Sequence, residues 1–242
     1  MSHNGRFILE PYAVEYLKQY QIPYPDHGFA HTLEEAVRIA DRLGYPVVLK
    51  VVSTHIIHKS DAGGVVVGLK SADELAQSYQ TIVNRVHKTM ADASIEGMLV
   101  CQQAPDGLEA IVGALDDPVF GTTVMFGLGG IFAEVLKDVA FRIAPLERLD
   151  AEEMIAEIKG YPLLTGARGG PACDMDMLID LLLAVSRLAT EKPDIRELDL
   201  NPVRLFETGL MVLDVRMIEK THGTTTSQNS PVSAHGGGPQ KV

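Results

Sequence analysis

The sequence predicts an α+β protein, and three features carry that prediction. Amphipathic helical patterns are interspersed with short apolar, β-branched runs. Several of those runs follow one another with no helix between them, as hairpins do. A regular strand–helix–strand alternation is missing. With 242 residues the chain suits one large domain or two small, intimately packed ones. Apolar residues make up 46% and charged residues 22%, which excludes bulk disorder.

The elements follow in order. Thr32 with Glu35 reads as a capping box; Leu33, Ala36, Val37, Ala40 and Leu43 share one helical face, and Gly44 stops the helix. Val47–Val52 is a β-branched run and hence a buried strand, and Val65–Leu69 is another. Ser71 with Glu74 opens a helix that runs to about Met90. Strands are predicted at Gly97–Gln102, Glu109–Leu115, Thr122–Gly127, Phe132–Leu136 and Val139–Ile143. Asp150 with Glu153 starts a further helix, and Asp176–Ala189 holds a strongly apolar one. Ile195–Leu200 and Leu210–Val215 read as two strands joined by a loop ending in Thr208-Gly209.

The composition shifts once, at the end. Of the 22 residues from Thr221 to Val242, 16 are Thr, Ser, Gly, Gln, Asn or Pro, and only Lys241 is charged. Such a segment has too little apolar surface to offset its ordering entropy, so residues 221–242 are predicted to be a disordered polar tail. Its two histidines, His222 and His235, are read as incidental.

Lys plus Arg number 21 and Asp plus Glu 32, a formal net charge of −11 with no basic run. That balance argues against a nucleic-acid or membrane-surface partner. Any phosphate must be held by a few placed groups. No stretch approaches the ~20 apolar residues of a membrane helix, and Met1–Arg6 lacks a secretory layout. Two cysteines, Cys101 and Cys173, without metal-ligand spacing fit a reducing compartment, and a cytoplasmic location is expected.

Several common nucleotide motifs are missing. No Gly-x-x-x-x-Gly-Lys-Ser/Thr loop occurs, and Gly127-Leu128-Gly129-Gly130 fails the dinucleotide fingerprint because position 132 is Phe. Lys50, however, lies inside an apolar strand, where a buried ammonium is costly unless an anion meets it. A lysine whose tip escapes at the strand end is the equal alternative. The following segment, His55 to Val65, offers two imidazoles (His55, His58), Lys59, Ser60 and the paired glycines Gly63 and Gly64. Paired glycines allow close backbone approach to a phosphate, and a neutral imidazole can act as nucleophile. Taken alone, the segment also reads as an ordinary turn.

The last two strands carry the most informative pattern. With a side-chain period of two, Asp199 and Asn201 share one face, as do Asp214 and Arg216. If Thr208-Gly209 is a tight turn, both polar faces fall on one side of the sheet, with Asn201 and Asp214 as near-diagonal neighbours. Hard oxygen ligands so placed suit Mg²⁺ shared with nucleotide phosphates. A solvated polar sheet face is the competing reading.

Taken as an ordered set, these motifs resemble one family. They are Tyr45–Ser53, His58–Val65, Gly107-Leu108-Glu109 with Gly113, Asp117-Pro118-x-Phe120-Gly121, Gly127-x-Gly129-Gly130 and Glu197–Pro202. Together they resemble the ATP-grasp domain of ADP-forming acyl-CoA synthetases, in its separate beta-subunit form, over roughly residues 8–219. The resemblance implies two α+β lobes clamping ATP or ADP with Mg²⁺. It places Lys50 on the nucleotide phosphates, with Lys59, Ser60, Gly63 and Gly64 in the loop that covers them. The strand end near Cys101 would offer backbone groups to adenine, with Glu109 on the nucleoside side. Asn201 and Asp214 match metal positions. His58 matches a second phosphorylated histidine, Asp199 a carboxylate that steadies it, and Arg216 and Arg168 phosphate clamps.

The implied reaction is acyl-CoA + ADP + phosphate ⇌ carboxylate + CoA + ATP, through an acyl phosphate and phosphohistidine. The implied partner is an alpha subunit carrying the CoA-binding and first phosphohistidine domains, in an α2β2 assembly. Two alternatives stand beside it. One is an ATP-grasp carboxylate ligase that passes an acyl phosphate directly, which would need no imidazole such as His58. The other is a non-catalytic nucleotide-binding regulatory subunit, which would be expected to lose charged groups such as Lys50, Glu109 and Asp214 first.

Overall fold

The computed structural model describes residues 5–56, 59–90, 92–130 and 135–221. In chain order the elements are β1 (Gly5–Ile8), α1 (Glu10–Gln19), β2 (His27–Ala30), α2 (Leu33–Leu43), β3 (Val47–Val52), β4 (Val65–Leu69), α3 (Ala72–Thr89) and β5 (Gly97–Gln102). They continue with β6 (Leu108–Asp117), β7 (Gly121–Leu128), β8 (Val139–Ile143), α4 (Arg148–Glu157), α5 (Tyr161–Leu164), α6 (Met175–Glu191), β9 (Ile195–Leu205), β10 (Leu210–Val212) and β11 (Val215–Lys220).

The strands form two sheets, one per lobe. The larger runs β1-β11-β9-β6-β7-β8 with β10 beside β9, and the smaller runs β2-β5-β3-β4. Every pairing is antiparallel. Antiparallel neighbours need only short turns, which is why the chain lacks a βαβ rhythm. In the small lobe α2 and α3 cover one face, packing Ala36, Ala40, Leu75 and Ile82 onto Leu49, Val51 and Val100. In the large lobe Leu178, Leu182 and Val185 of α6 share a core with Val112, Val124 and Phe126, and α1 adds Ala13, Val14 and Leu17 to it.

The caps show where local reading holds. Thr32 Oγ1 accepts from the Glu35 N–H at 3.2 Å and Ser71 Oγ from the Glu74 N–H at 3.2 Å, while the returning carboxylates accept from the His31 and Lys70 N–H groups, one residue before each expected cap partner. Gly44 ends α2 with φ +81, a conformation costly for a side chain. At α4 the expected start is corrected: Glu147 and Asp150 make the capping box, so Asp150 is its third helical residue. The predicted strand Phe132–Leu136 fails in part. Residues 131–134 lie outside the described residues, and Val135 and Leu136 form a turn. Motif reading missed β1, α1 and β2 altogether. The polar tail expected over 221–242 falls outside the described residues from His222 onward. Among the described residues no helix is long and apolar enough to cross a membrane.

The final strand pair is corrected too. The run expected at Leu210–Val215 is two strands, broken at Leu213 and Asp214. Val212 faces Val203 and Val215 faces Leu200, so the two residues between them oppose Pro202 and Asn201. Backbone bonds hold that break: Asn201 N donates to the Asp214 carbonyl at 3.1 Å and Leu213 N to the Pro202 carbonyl at 2.9 Å. Asn201 and Asp214 are therefore directly opposite rather than near-diagonal, as are Asp199 and Arg216.

Candidate functional site

Lys50 reaches the site because β3 alternates. Val47, Leu49 and Val51 belong to the helix-covered core, while Val48 and Val52 pack on the opposite face with Leu99, Cys101 and Tyr24. Lys50 shares that second face, its side chain only 7% exposed. Its Nζ donates to Glu10 Oε1 at 2.7 Å, to Tyr24 Oη at 3.1 Å and to the Leu213 carbonyl, and lies 3.4 Å from Asp214 Oδ1. The anion that the buried lysine demanded exists, and it comes from the other lobe.

Lys59 joins the same group from the loop after β3. Its Nζ donates to Asp214 Oδ1 at 2.8 Å and Oδ2 at 3.1 Å, and lies 3.2 Å from Glu10 Oε2. The loop is closed by Gly64 N donating to the Lys59 carbonyl at 2.7 Å and Gly63 N to the Ser60 carbonyl at 2.9 Å. Gly63 has φ +62, and a Cβ on Gly64 would lie 2.4 Å from Val51 Cγ1. The two glycines thus serve the turn and its seat on β3, reasons independent of any phosphate.

The buried Lys50, the partly buried Lys59 and two carboxylates make a charge-balanced quartet. Burial opposes the charge on Glu10, but Lys50 and then Lys59 overcome it and hold the carboxyl well below the usual range. Asp214 goes the other way. Its desolvation, followed by the adjacent Glu10 charge, outweighs the lysines and raises it to about 6. For Lys50, burial works against the ammonium, yet Glu10 and Asp214 keep it charged. Burial pushes the Cys101 thiol up to about 11, so it is a neutral wall and no nucleophile.

Above the quartet opens a cleft of about 320 Å³. Val48, Val65, Val67 and Cys101 supply apolar walls, and Lys50, Ser60, Asn201 and Asp214 line its polar side. Cys101 itself pairs with His27 on β2 and Val48 on β3, inside the sheet. The next two N–H groups are committed as well, Gln102 to the Asp26 carbonyl at 2.8 Å and Gln103 to the Pro46 carbonyl at 3.2 Å. The strand end near Cys101 therefore offers a thiol wall, not those donors. Glu109 stands at the margin, its Oε1 accepting from Arg204 Nη2 at 2.6 Å, and Arg204 lines the cleft in its place.

Asp199 and Arg216 sit one step further along β9 and β11, with Arg216 Nε 3.9 Å from Asp199 Oδ2 and Nη2 donating to Glu197 Oε1. His58 lies outside the described residues, and so does the side chain of Arg168. The structure thus brings Lys50, Ser60, Asn201, Asp214 and Cys101 around one cleft, with Lys59 behind it on Asp214. Sequence reading missed Glu10 and Tyr24. The only signal for them was the unpaired lysine in an apolar strand, which requires an anion but does not name one 40 residues away.

Comparison with known proteins resolves what such a cleft between two antiparallel lobes belongs to. A model of the ATP-grasp domain matches residues 1–218. The beta subunit of acetate–CoA ligase [ADP-forming] I from Pyrococcus furiosus is 47% identical over 214 residues, spanning 88% of this chain and 92% of that one. The chain belongs to this ATP-grasp family. A second ATP-grasp relative, acetate–CoA ligase [ADP-forming] I of Archaeoglobus fulgidus, is 48% identical over 218 residues, which are 90% of this chain and only 32% of that longer one. The ATP-grasp fold also superposes on acetyl-coenzyme A synthetase 1 of Candidatus Korarchaeum cryptofilum with a TM-score of 0.87 at 46% identity, covering 88% of this chain and 93% of that one. That structure holds coenzyme A, Ca-AMPCP and HgCl⁺. Another structure of the same protein holds coenzyme A and Mg-AMPPCP, with its phosphohistidine segment pointing towards the nucleotide-binding site.

Proposed function

We propose that this ATP-grasp chain is the nucleotide-handling beta subunit of an ADP-forming acyl-CoA synthetase, catalysing acyl-CoA + ADP + phosphate ⇌ carboxylate + CoA + ATP with a separate alpha subunit. The observation that carries the reading is the meeting of Lys50 and Lys59 from one lobe with Asp214 from the other beneath an apolar-walled cleft. Lys50 presents its ammonium to the cleft in a low-dielectric site, where attraction to a phosphate is stronger than in water, with Lys59 behind it. Val48, Val65 and Val67 give a flat base an apolar seat.

Asn201 and Asp214 are the residues that would hold Mg²⁺, whose role is to neutralise charge on phosphate oxygens. Their chemistry fits: a carboxylate and an amide on directly opposed residues both line the cleft. Mg²⁺ shared with phosphates takes such an incomplete oxygen set. The proposed domain is residues 8–219, followed by a polar tail over 221–242.

In this reading His58 relays the phosphoryl group. Its imidazole forms a P–N bond as the group leaves the partner's histidine, and that bond breaks as a terminal oxygen of ADP takes the phosphorus. Asp199 steadies the ring and Arg216 holds the phosphoryl oxygens. The partner is an alpha chain bearing the CoA site and the first phosphohistidine, in an α2β2 assembly. Supporting a separate partner chain are the beta-subunit relative and the longer single-chain relative, of which this chain matches a third. With γ-labelled ATP, Mg²⁺ and the alpha chain present, an acid-labile, base-stable label is expected on the wild-type beta chain and on His55→Ala, and not on His58→Asn. Wild-type turnover by His58→Asn would overturn the relay.

A further inference from the structure

We infer that Glu10 is a positioning residue that shares Lys50 and Lys59 with Asp214 and so weakens their hold on the carboxylate that would engage the metal. The inference rests on the function proposed above and adds a residue that nothing in that reading names. Glu10 opens α1, which is fixed to the large lobe through Ala13, Val14 and Leu17. Both lysines come from the small lobe, so this one carboxylate ties them to the opposite half of the clamp.

The two carboxylates of the quartet differ in kind. Glu10 has a side chain 1% exposed, whereas Asp214 is 32% exposed and lines the cleft. Glu10 divides its oxygens between the lysines: Oε1 accepts from Lys50 at 2.7 Å and from the Tyr24 hydroxyl at 2.6 Å, and Oε2 lies 3.2 Å from Lys59. Sealed behind the lysines, Glu10 has no route to a metal in the cleft. Its charge can only offset theirs. Remove that charge and Asp214 becomes the one anion within reach of both ammoniums. They would then hold it more tightly and compete with Mg²⁺ for it.

The test separates this role from folding and from the proposed function. Affinity for ADP is measured by calorimetry in MgCl₂ and again in EDTA, on wild type, Glu10→Gln and Glu10→Asp. Wild type should prefer ADP with Mg²⁺. In Glu10→Gln that preference should shrink by about tenfold or more, since a charge is lost within contact distance of the lysines that hold Asp214. Glu10→Asp, which keeps the charge, should recover most of it. A purely structural Glu10 would lower affinity equally with and without Mg²⁺, and an undiminished Mg²⁺ preference in Glu10→Gln would overturn the inference. If Glu10→Gln does not fold, a folded Glu10→Asp with no Mg²⁺ preference overturns it as well. Absence of any ADP binding by wild type would instead overturn the function on which it rests.

Discussion

Asn201 and Asp214 stand directly opposite each other where β10 gives way to β11, joined by the Asn201 N–H donating to the Asp214 carbonyl at 3.1 Å. The break in the strand matters because it turns the Asp214 side chain towards Lys50 and Lys59 while its backbone stays paired with β9. An amide oxygen and a carboxylate are thereby presented on a rigid two-stranded support, the kind of placement a metal-assisted site needs.

The first prediction concerns that pair. Asp214→Asn keeps the shape and removes one charge, so affinity for ADP measured by calorimetry in Mg²⁺ should fall at least about tenfold, with much less change in EDTA. Equal losses in both buffers would make Asp214 a structural residue.

Lys50→Met should remove nucleotide binding with or without Mg²⁺ and should also destabilise the fold. It leaves the buried Glu10 carboxylate with Lys59 as its remaining cation and the Tyr24 hydroxyl as its donor, and breaking a buried pair costs up to roughly 3–5 kcal/mol. Urea denaturation measures the loss. The double variant Lys50→Met/Glu10→Gln should recover part of that stability and none of the binding, because the under-compensated charge is gone while the phosphate contact is still missing.

Asp174 tests the scaffold away from the cleft. Its carboxylate accepts from the Met177 N–H at 3.1 Å, capping α6, and from the Gly209 N–H at 2.8 Å, pinning the β9–β10 turn. Asp174→Ala should cost ~1 kcal/mol or somewhat more at neutral pH. Those two N–H groups hold the carboxyl below its usual range. A depressed carboxylate contributes stability that is fully present above its unfolded pKa of ~3.9 and fades as pH falls through the folded value. The stability gap between wild type and Asp174→Ala should therefore close in acid, with nucleotide affinity unchanged at neutral pH.

The purified chain should bind ADP or ATP with Mg²⁺ on its own and make no acyl-CoA on its own. The motifs and the cleft account for nucleotide, and the proposed function places the CoA site on the alpha chain. Formation of acyl-CoA from ATP, acetate and CoA by the single chain, followed by chromatography, would show that the division of labour is wrong.

Much of this protein was legible along the chain because the physics involved is local. The α2 and α3 caps, the apolar β3 strand and the polar faces of β9 and β11 depend on spacings of two to four residues. Such periodicities predict elements, and motif order predicts the family. Elements with weak local signals escaped. β1 and β2 are four residues each, and α1 is preceded by Leu9, which offers no side-chain cap.

The chemistry of the cleft was only half legible, for a different reason. Sequence alone determined that Lys50 either meets an anion or escapes at the strand end, since an ammonium in an apolar strand is costly unpaired. Only the tertiary structure decided that the anion is Glu10, that Tyr24 shares it, and that Asp214 is drawn towards both lysines. Those contacts span 14 to 164 residues and cross between lobes. Burial and charge pairing act through space, so partners that distant leave no periodic trace in the chain.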